Sequence, residues 1–175
     1  MSGGETDYWT PNDFFDGVEA RYGPFDIDVA ASFENRKCVK FYDQTIDALQ
    51  DGLAWEGRVW CNPPYDNIGP WVAKAIEQVR ERNAERVVML LPTGTSTKWF
   101  QLVYENAARI EFVHGRLKFG GPHALNDGEA AAPTSSLLVV FDLEYWDPSE
   151  GPKFDMISRK GVVEWGRQSL LGEWV

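Results

Sequence analysis

Asn62-Pro63-Pro64-Tyr65 is the stretch of this sequence whose residue types best match a chemical task. It directly follows Arg58-Val59-Trp60-Cys61, an apolar run that reads as a strand. A side-chain amide oxygen and a main-chain carbonyl can together accept both N–H bonds of an exocyclic amine. Such a pair favours the positive charge that develops on nitrogen during alkylation, and it steers the lone pair toward the incoming carbon. Asn62 supplies the amide and Pro63 a carbonyl with no competing N–H. Pro64 fixes the chain direction, and Tyr65 offers a face for a planar ring. No metal and no covalent nucleophile is needed, since much of the rate comes from alignment. The competing reading is a turn, because Asn-Pro and Pro-Pro are ordinary turn dipeptides. A position immediately after a strand favours the chemistry.

The surrounding sequence alternates strand and helix patterns. Thr10-Pro11-Asn12-Asp13 opens a helix, with Thr10 as cap, Pro11 in the first helical position and Asp13 at the positive end. Phe14, Val18 and Tyr22 share its apolar face, and Gly23-Pro24 stops it. Residues 25–31 alternate apolar and acidic side chains as a strand, and 39–42 predict a short second one. Gly69-Pro70 opens a helix with Trp71, Ala75 and Val79 on one face. Residues 86–91 form a continuous apolar strand, and 99–108 a helix with Trp99, Val103 and Ala107 in register. Residues 109–113 and 136–141 read as strands, and 162–171 as a terminal helix. Residues 119–134, rich in Gly, Ala and Pro, read as a long loop of the kind that carries function. This alternation predicts an α/β sheet with helices on its faces, whose ligands sit beyond the carboxyl ends of the strands. Asp28-Val29-Ala30-Ala31, Asn62-Pro63-Pro64-Tyr65 and Pro92-Thr93-Gly94-Thr95 all fall there.

Composition narrows the class. A chain of 175 residues, 43% hydrophobic and 25% charged, supports one domain with a substantial core. It has no apolar run long enough to span a bilayer, and its first residues do not resemble a secretory signal. Cys38 and Cys61 form no paired motif, and Cys61 reads as a buried thiol of a cytosolic protein. The two histidines, His114 and His123, lack metal-ligand spacing and read as structural or surface residues. The net charge of −10 argues against tight non-specific nucleic-acid binding, and leaves room for a local basic face. Gly94 to Lys98 lacks the spacing of a phosphate loop.

Several segments, taken in order, resemble the phage-type DNA N6-adenine methyltransferases, the small Dam-like family of phages and prophages. They are Trp9-Thr10-Pro11, residues 25–32, Trp60-Cys61-Asn62-Pro63-Pro64-Tyr65, Leu90-Leu91-Pro92, Trp99-Phe100, Gly115-Arg116-Leu117-Lys118-Phe119 and residues 135–141. The likeness runs from about Tyr8 to Phe141. It implies a Rossmann-like class I methyltransferase fold, α/β, with a mostly parallel central sheet and helices on both faces. Residues 1–175 would form one compact domain with a flexible start at 1–7 and no separate target-recognition domain. It implies S-adenosylmethionine as methyl donor, S-adenosylhomocysteine as product, no metal, adenine N6 in DNA as acceptor, and a cytoplasmic location, that of the host cell if the chain is phage-encoded.

Residue by residue, the resemblance makes Asn62, Pro63, Pro64 and Tyr65 catalytic. Trp9, Thr10 and Pro11 match a segment lying against the cofactor, which Asn62 also borders. Asp28 matches the acidic motif expected near the methionine amino group, Asp43 the carboxylate for the ribose hydroxyls, and Asp51 a residue near the adenine ring. Ala30-Ala31-Ser32 stands where the wider superfamily has a Gly-rich turn, so Ala30 approaches the cofactor with less backbone freedom. DNA contacts fall to the 119–134 loop, to Arg116 and Lys118 at its entrance, and to Lys98.

Plainer readings stand beside these. Asp26 suits a solvent-facing strand position, Trp9 a core, Arg116 and Lys118 a solvated edge, and Lys98 an exposed helix start. The motif also suits methylation of an amine in RNA or of a protein glutamine, or a silent DNA-binding module of the same fold. A cytosine-N4 enzyme fits less well, since those more often place Ser before Pro-Pro.

Overall fold

The computed structural model of the chain describes residues 8–121, 130–131 and 134–163. Helix α1 (Asn12–Tyr22) precedes β1 (Ile27–Asp28), β2 (Lys40–Phe41), β3 (Gly57–Cys61) and α2 (Ile68–Arg80). Then come β4 (Ala84–Pro92), α3 (Lys98–Asn106), β5 (Arg109–Val113), β6 (Lys118–Phe119), β7 (Ala130–Ala131), β8 (Ser136–Phe141) and β9 (Lys153–Ile157). Seven strands form one sheet in the order β2-β1-β3-β4-β8-β5-β9. Neighbours pair in parallel except at β8, which runs antiparallel to β4 and β5. The expected mostly parallel α/β sheet is the one observed.

Helices cover both faces, and the pleat divides the side chains between them. Along β4, Val87, Met89 and Leu91 join the core under α2 and α3, with Val72, Ala75, Val79 and Val103. Val88 and Leu90 join the opposite core, where α1 packs Phe14, Phe15 and Val18 near Trp60. Both faces are buried, so β4 and β8 read as unbroken apolar runs instead of alternating ones. The connections part at β1, with β2 on one side and β3 on the other. That switch leaves a crevice beyond the carboxyl ends of β1 and β3.

Several expectations are corrected. The strand expected over 25–31 pairs in the ladder only at Ile27–Asp28. Beyond it Val29 N–H still donates to the Trp60 carbonyl at 3.1 Å and Ala31 N–H to the Tyr42 carbonyl at 3.0 Å, while the Asp28 side chain accepts from Ala30 N–H at 3.3 Å and Lys37 N–H at 3.0 Å. Asp26 is exposed and accepts from Arg58 N–H at 2.7 Å, which is the plain structural role expected of it. Thr10 does not cap α1, and Pro11 sits one position earlier than expected: it is the N-cap itself, with no side-chain cap bond. Helix α3 is capped instead by Thr97, whose hydroxyl accepts from Phe100 N–H at 3.2 Å.

The expected 119–134 loop has a paired base, because Lys118 and Phe119 form an antiparallel ladder with Ala131 and Ala130. Its residues 122–129 and 132–133 lie outside the described residues, as do His123, residues 1–7 and all of the expected terminal helix beyond Val163. Strand β9 had no expectation; its Lys153-Phe154-Asp155-Met156-Ile157 is a short alternating run whose Phe154 and Met156 are about half exposed. Cys38 and Cys61 are buried free thiols. Among the described residues no helix is long and apolar enough to cross a membrane.

Candidate active site

A cavity of about 590 Å³ opens at the carboxyl ends of β1 and β3, a volume suited to a small-molecule ligand. Its wall includes Trp9, Thr10, Asp28, Ala30, Asp43 and Asn62, together with Pro63 and Pro64. Most of the residues that the resemblance assigned to chemistry or cofactor thus converge on one hollow. Pro11 is not in this wall; it ends the segment and starts α1. Asp51 is exposed in a turn and is not in the wall either, so the expected contact with an adenine ring is not supported.

Asn62 is the most constrained of these side chains. Its Nδ2 donates to the Tyr8 carbonyl at 2.8 Å and to Thr10 Oγ1 at 3.1 Å. A carbonyl oxygen can only accept, so the amide has one permitted orientation. Its Oδ1 is buried and has no partner among the described residues. A buried acceptor without a donor costs on the order of 1–3 kcal/mol, and an incoming N–H group would recover it. The segment Tyr8-Trp9-Thr10 is held in turn. Trp9 and Gly120 exchange both main-chain hydrogen bonds at 3.0 Å, which ties this segment to the end of β6. Thr10 itself is only 5% exposed. Trp9 Nε1 is a second buried polar atom with no partner among the described residues.

Tyr65 departs from its expected role as a platform. Its ring packs against Tyr8 at 5.7 Å and edge-on to Phe119 at 6.4 Å, and it is not in the cavity wall. Its hydroxyl is buried without a partner among the described residues, and burial pushes the phenol well above its ordinary range. The phenol therefore stays neutral and keeps a proton to donate.

Asp28 is 3% exposed. Burial pushes its carboxyl up to about 6, against the opposing pull of the Lys37 and Ala30 N–H groups. Asp43, at the end of β2, accepts from Thr45 N–H at 2.9 Å and Thr45 Oγ1 at 2.6 Å, and these bonds hold its carboxyl below the ordinary range. Ala30, Ala31 and Ser32 bring main chain to the wall where a Gly-rich turn was absent. The sequence reading missed Tyr8, Lys37, Tyr42 and Trp71, all of which line the cavity. Their sequence signals are those of ordinary aromatic core or solvated lysine, and only tertiary contact identifies them.

The basic residues lie apart. Arg116 and Lys118 are exposed and alternate with buried Leu117 and Phe119, so they share a face. Lys118 is two residues from Gly120, whose main chain holds Trp9. Lys98 is exposed at the first turn of α3. None of the three is in the cavity wall. Among the described residues no cluster of three or more His, Cys, Asp or Glu side chains could hold a metal ion.

Known proteins bear on this geometry. The sequence profile of a family described as DNA N-6-adenine-methyltransferase (Dam) matches residues 2–169. The chain is 42% identical over 112 residues to a protein of Escherichia phage T1 named DNA N-6-adenine-methyltransferase, covering 63% of this chain and 46% of that one. It is 39% identical over 97 residues to a protein of the same name in Haemophilus phage HP1, covering 54% of each. A putative methyltransferase, YfdM, of Escherichia coli (strain K12) is 35% identical over 71 residues, 37% of this chain and 74% of that one. The chain spans about half the length of the two phage relatives.

The Asp28 environment has a measurable signature. Its pKa in the folded chain lies above its ordinary value of 3.8, so its contribution to stability is full below that pH and is lost as pH rises through about 6. Asp28→Asn carries no charge to desolvate. Its single oxygen replaces only one of the two acceptors, so the signature is the change with pH: relative to the parent, urea unfolding should find Asp28→Asn gaining about 2 kcal/mol of stability between pH 4.5 and pH 7.5. An advantage independent of pH would contradict the assigned environment.

Proposed function

The chain belongs to the DNA N-6-adenine-methyltransferase (Dam) family, and from that membership we propose that it transfers a methyl group from S-adenosylmethionine to the exocyclic N6 of adenine in DNA. The observation that carries the reading is the buried, partnerless Oδ1 of Asn62, aimed by two hydrogen bonds on the other side of the same amide. An acceptor fixed in advance costs no reorganisation when charge develops on the amine it holds.

The cavity residues fit the cofactor class. Asp28 suits an ammonium, Asp43 suits paired ribose hydroxyls, and Ala30 and Ala31 permit close main-chain approach. Trp9 Nε1 is a buried donor in need of an acceptor. When bound, the cofactor supplies an electrophilic methyl group on a sulfonium. The chain's own residues do the rest. Asn62 Oδ1 accepts from the target amine, and the Pro63 carbonyl is the second acceptor. Tyr8 and Thr10 hold the Asn62 amide, and Pro63 and Pro64 keep water and competing N–H donors from the motif's main chain. Trp60, 1% exposed beneath the motif, supports it from the core. Tyr65, packed on Tyr8 and Phe119, braces the segment that fixes Asn62.

In a duplex one N6–H is held in the base pair and the amine cannot be enclosed by the site, so a duplex substrate requires the adenine to leave the stack. Lys98, Arg116 and Lys118 are the basic residues proposed to meet the phosphates, with the β6–β7 base presenting the last two. In a chain of net charge −10, such contacts have to be local. The host cytoplasm is the setting this substrate requires.

The direct test is incubation with DNA, RNA or protein and labelled S-adenosylmethionine, followed by digestion and mass spectrometry. N6-methyladenine in DNA is the expected product; label confined to RNA or protein would overturn the substrate assignment. Absence of any label would favour a silent module. Asn62→Ala should abolish turnover while changing the Kd for S-adenosylhomocysteine by less than about threefold. Thr10→Val removes one of the two acceptors that orient the Asn62 amide. It should lower kcat about tenfold with KM for DNA little changed, and Thr10→Ser should restore most of the loss. An equal rise in KM with unchanged kcat would assign Thr10 to binding instead.

A further inference from the structure

Two segments distant in sequence leave the sheet side by side. His114 N–H donates to the Ile157 carbonyl at 2.8 Å, so the chain leaving β5 and the chain leaving β9 start together. These exits, residues 113–121 and 156–163, hold Arg116, Lys118, Arg159 and Lys160 and no Asp or Glu. The whole chain carries 27 Asp and Glu against 17 Lys and Arg, so the sign of the charge is locally reversed here. The stem of Arg159 lies across Gly115, where a Cβ would meet the Arg159 Cδ at 3.3 Å. That contact sets Arg159 beside the residue that precedes Arg116. Arg159 and Lys160 are both exposed, and no ion pair among the described residues includes either of them.

The turn that presents this pair is held in place. Gly161 N–H donates to the Ser158 carbonyl at 3.0 Å, and Ser158 N–H to the Val162 carbonyl at 2.8 Å. Arg21 of α1 donates to the Gly161 carbonyl at 3.2 Å. The main chain at Lys160 passes so close to α1 that a Cβ on Gly17 would collide with its carbonyl oxygen. A fixed main chain leaves only side-chain freedom to be lost on binding. Strands β5 and β9 run in the same direction as β3, so their carboxyl ends share the sheet edge on which the cavity opens. In that sheet β9 stands four strand spacings from β3, roughly 19 Å. Residues 114–120 lead from the end of β5 back to the cavity, where Gly120 pairs with Trp9. Arg159 and Lys160, followed by Arg116 and Lys118, therefore mark a basic track toward the cavity.

Charges spaced along a line suit a polyanion better than a small anion. Resting on the reading that DNA is the substrate, we propose that Arg159 and Lys160 bind the phosphate backbone of the duplex that flanks the target adenine. A duplex lying along the carboxyl edge would meet them roughly five or six base pairs from that adenine, at about 3.4 Å per pair. Strand β9 contributes nothing to the cavity wall. Its part is to carry the DNA contact beyond the reach of Arg116 and Lys118.

The test follows binding of a fluorescent duplex of about 24 base pairs by anisotropy over a range of salt concentrations. S-adenosylhomocysteine is present, so no turnover occurs. Arg159→Gln combined with Lys160→Gln should weaken binding roughly 10- to 50-fold at about 0.1 M salt, and should lower the slope of log affinity against log salt by about 1.8. The Kd for S-adenosylhomocysteine should stay within about twofold, because roughly 19 Å exceeds two Debye lengths of about 8 Å. Arg159→Lys combined with Lys160→Arg keeps both charges and should keep the affinity and the slope. If the Gln pair does not fold, Arg159→Gln alone should give about half of the slope change. An unchanged slope in the Gln variants, or an equal loss in the charge-keeping pair, overturns the role of Arg159 and Lys160 and leaves the DNA reading standing. A parent chain that binds no duplex, or that methylates RNA alone, overturns both.

Discussion

A main-chain carbonyl accepts hydrogen bonds and never donates them, and the Tyr8 carbonyl therefore decides which way the Asn62 amide faces. Much of the fold can be understood as the means of keeping that one contact. Asn62 follows the last residue of β3, a strand paired with β1 on one side and β4 on the other. Tyr8 precedes α1, whose Phe14, Phe15 and Val18 are buried against the same sheet. The segment between them is also fastened to Gly120 at the end of β6. Three separate anchors thus converge on an amide that has to present a single atom.

The electrostatics follow from where the sheet divides. The crevice beyond β1 and β3 brings a deeply buried carboxylate, Asp28, within main-chain reach of Lys37. A buried, partly neutralised acid is unfavourable for the empty fold, and that cost is the kind a bound cation offsets. The overall acidity of the chain and the basic face at Arg116 and Lys118 are compatible, because a phosphate backbone responds to the charges within roughly a Debye length of it, about 8 Å. Membership of the DNA N-6-adenine-methyltransferase (Dam) family and the geometry of a pre-aimed amine acceptor both support the proposed chemistry.

What the sequence revealed and what it hid separate along one line. Strand periodicity and the rule that ligands sit at carboxyl strand ends brought Asp28 and the Asn62 motif to one cavity; the third segment expected there, Pro92 to Thr95, is not in its wall, and Asp43 came from the resemblance. Strands β5 and β8 took the bounds read from their apolar runs. Residues that act across the chain were read by their neighbours and misplaced. Thr10 looked like a helix cap because its local sequence allows that, yet its hydroxyl serves a residue 52 positions away. Tyr65 looked like a stacking platform, yet Tyr8 and Phe119 occupy its ring. Lys37 and Tyr8 carried no signal, since their importance comes from packing alone. Strand β9 was not read although Lys153-Phe154-Asp155-Met156-Ile157 alternates polar and apolar residues; five residues give a weak signal, and Phe154 and Met156 are half exposed at the sheet edge.

Pro63 has a consequence for the chemical lifetime of the protein. An asparagine ages when the main-chain nitrogen of the next residue attacks its side-chain amide, closes a five-membered imide and expels ammonia. Proline has no main-chain N–H to give up, so that ring does not readily form at Asn62. The product of such ageing would be an aspartate, whose oxygen would face the Tyr8 carbonyl with no hydrogen between them. The residue that lends the motif its second carbonyl therefore also protects the one amide whose slow loss would turn the site against its own substrate.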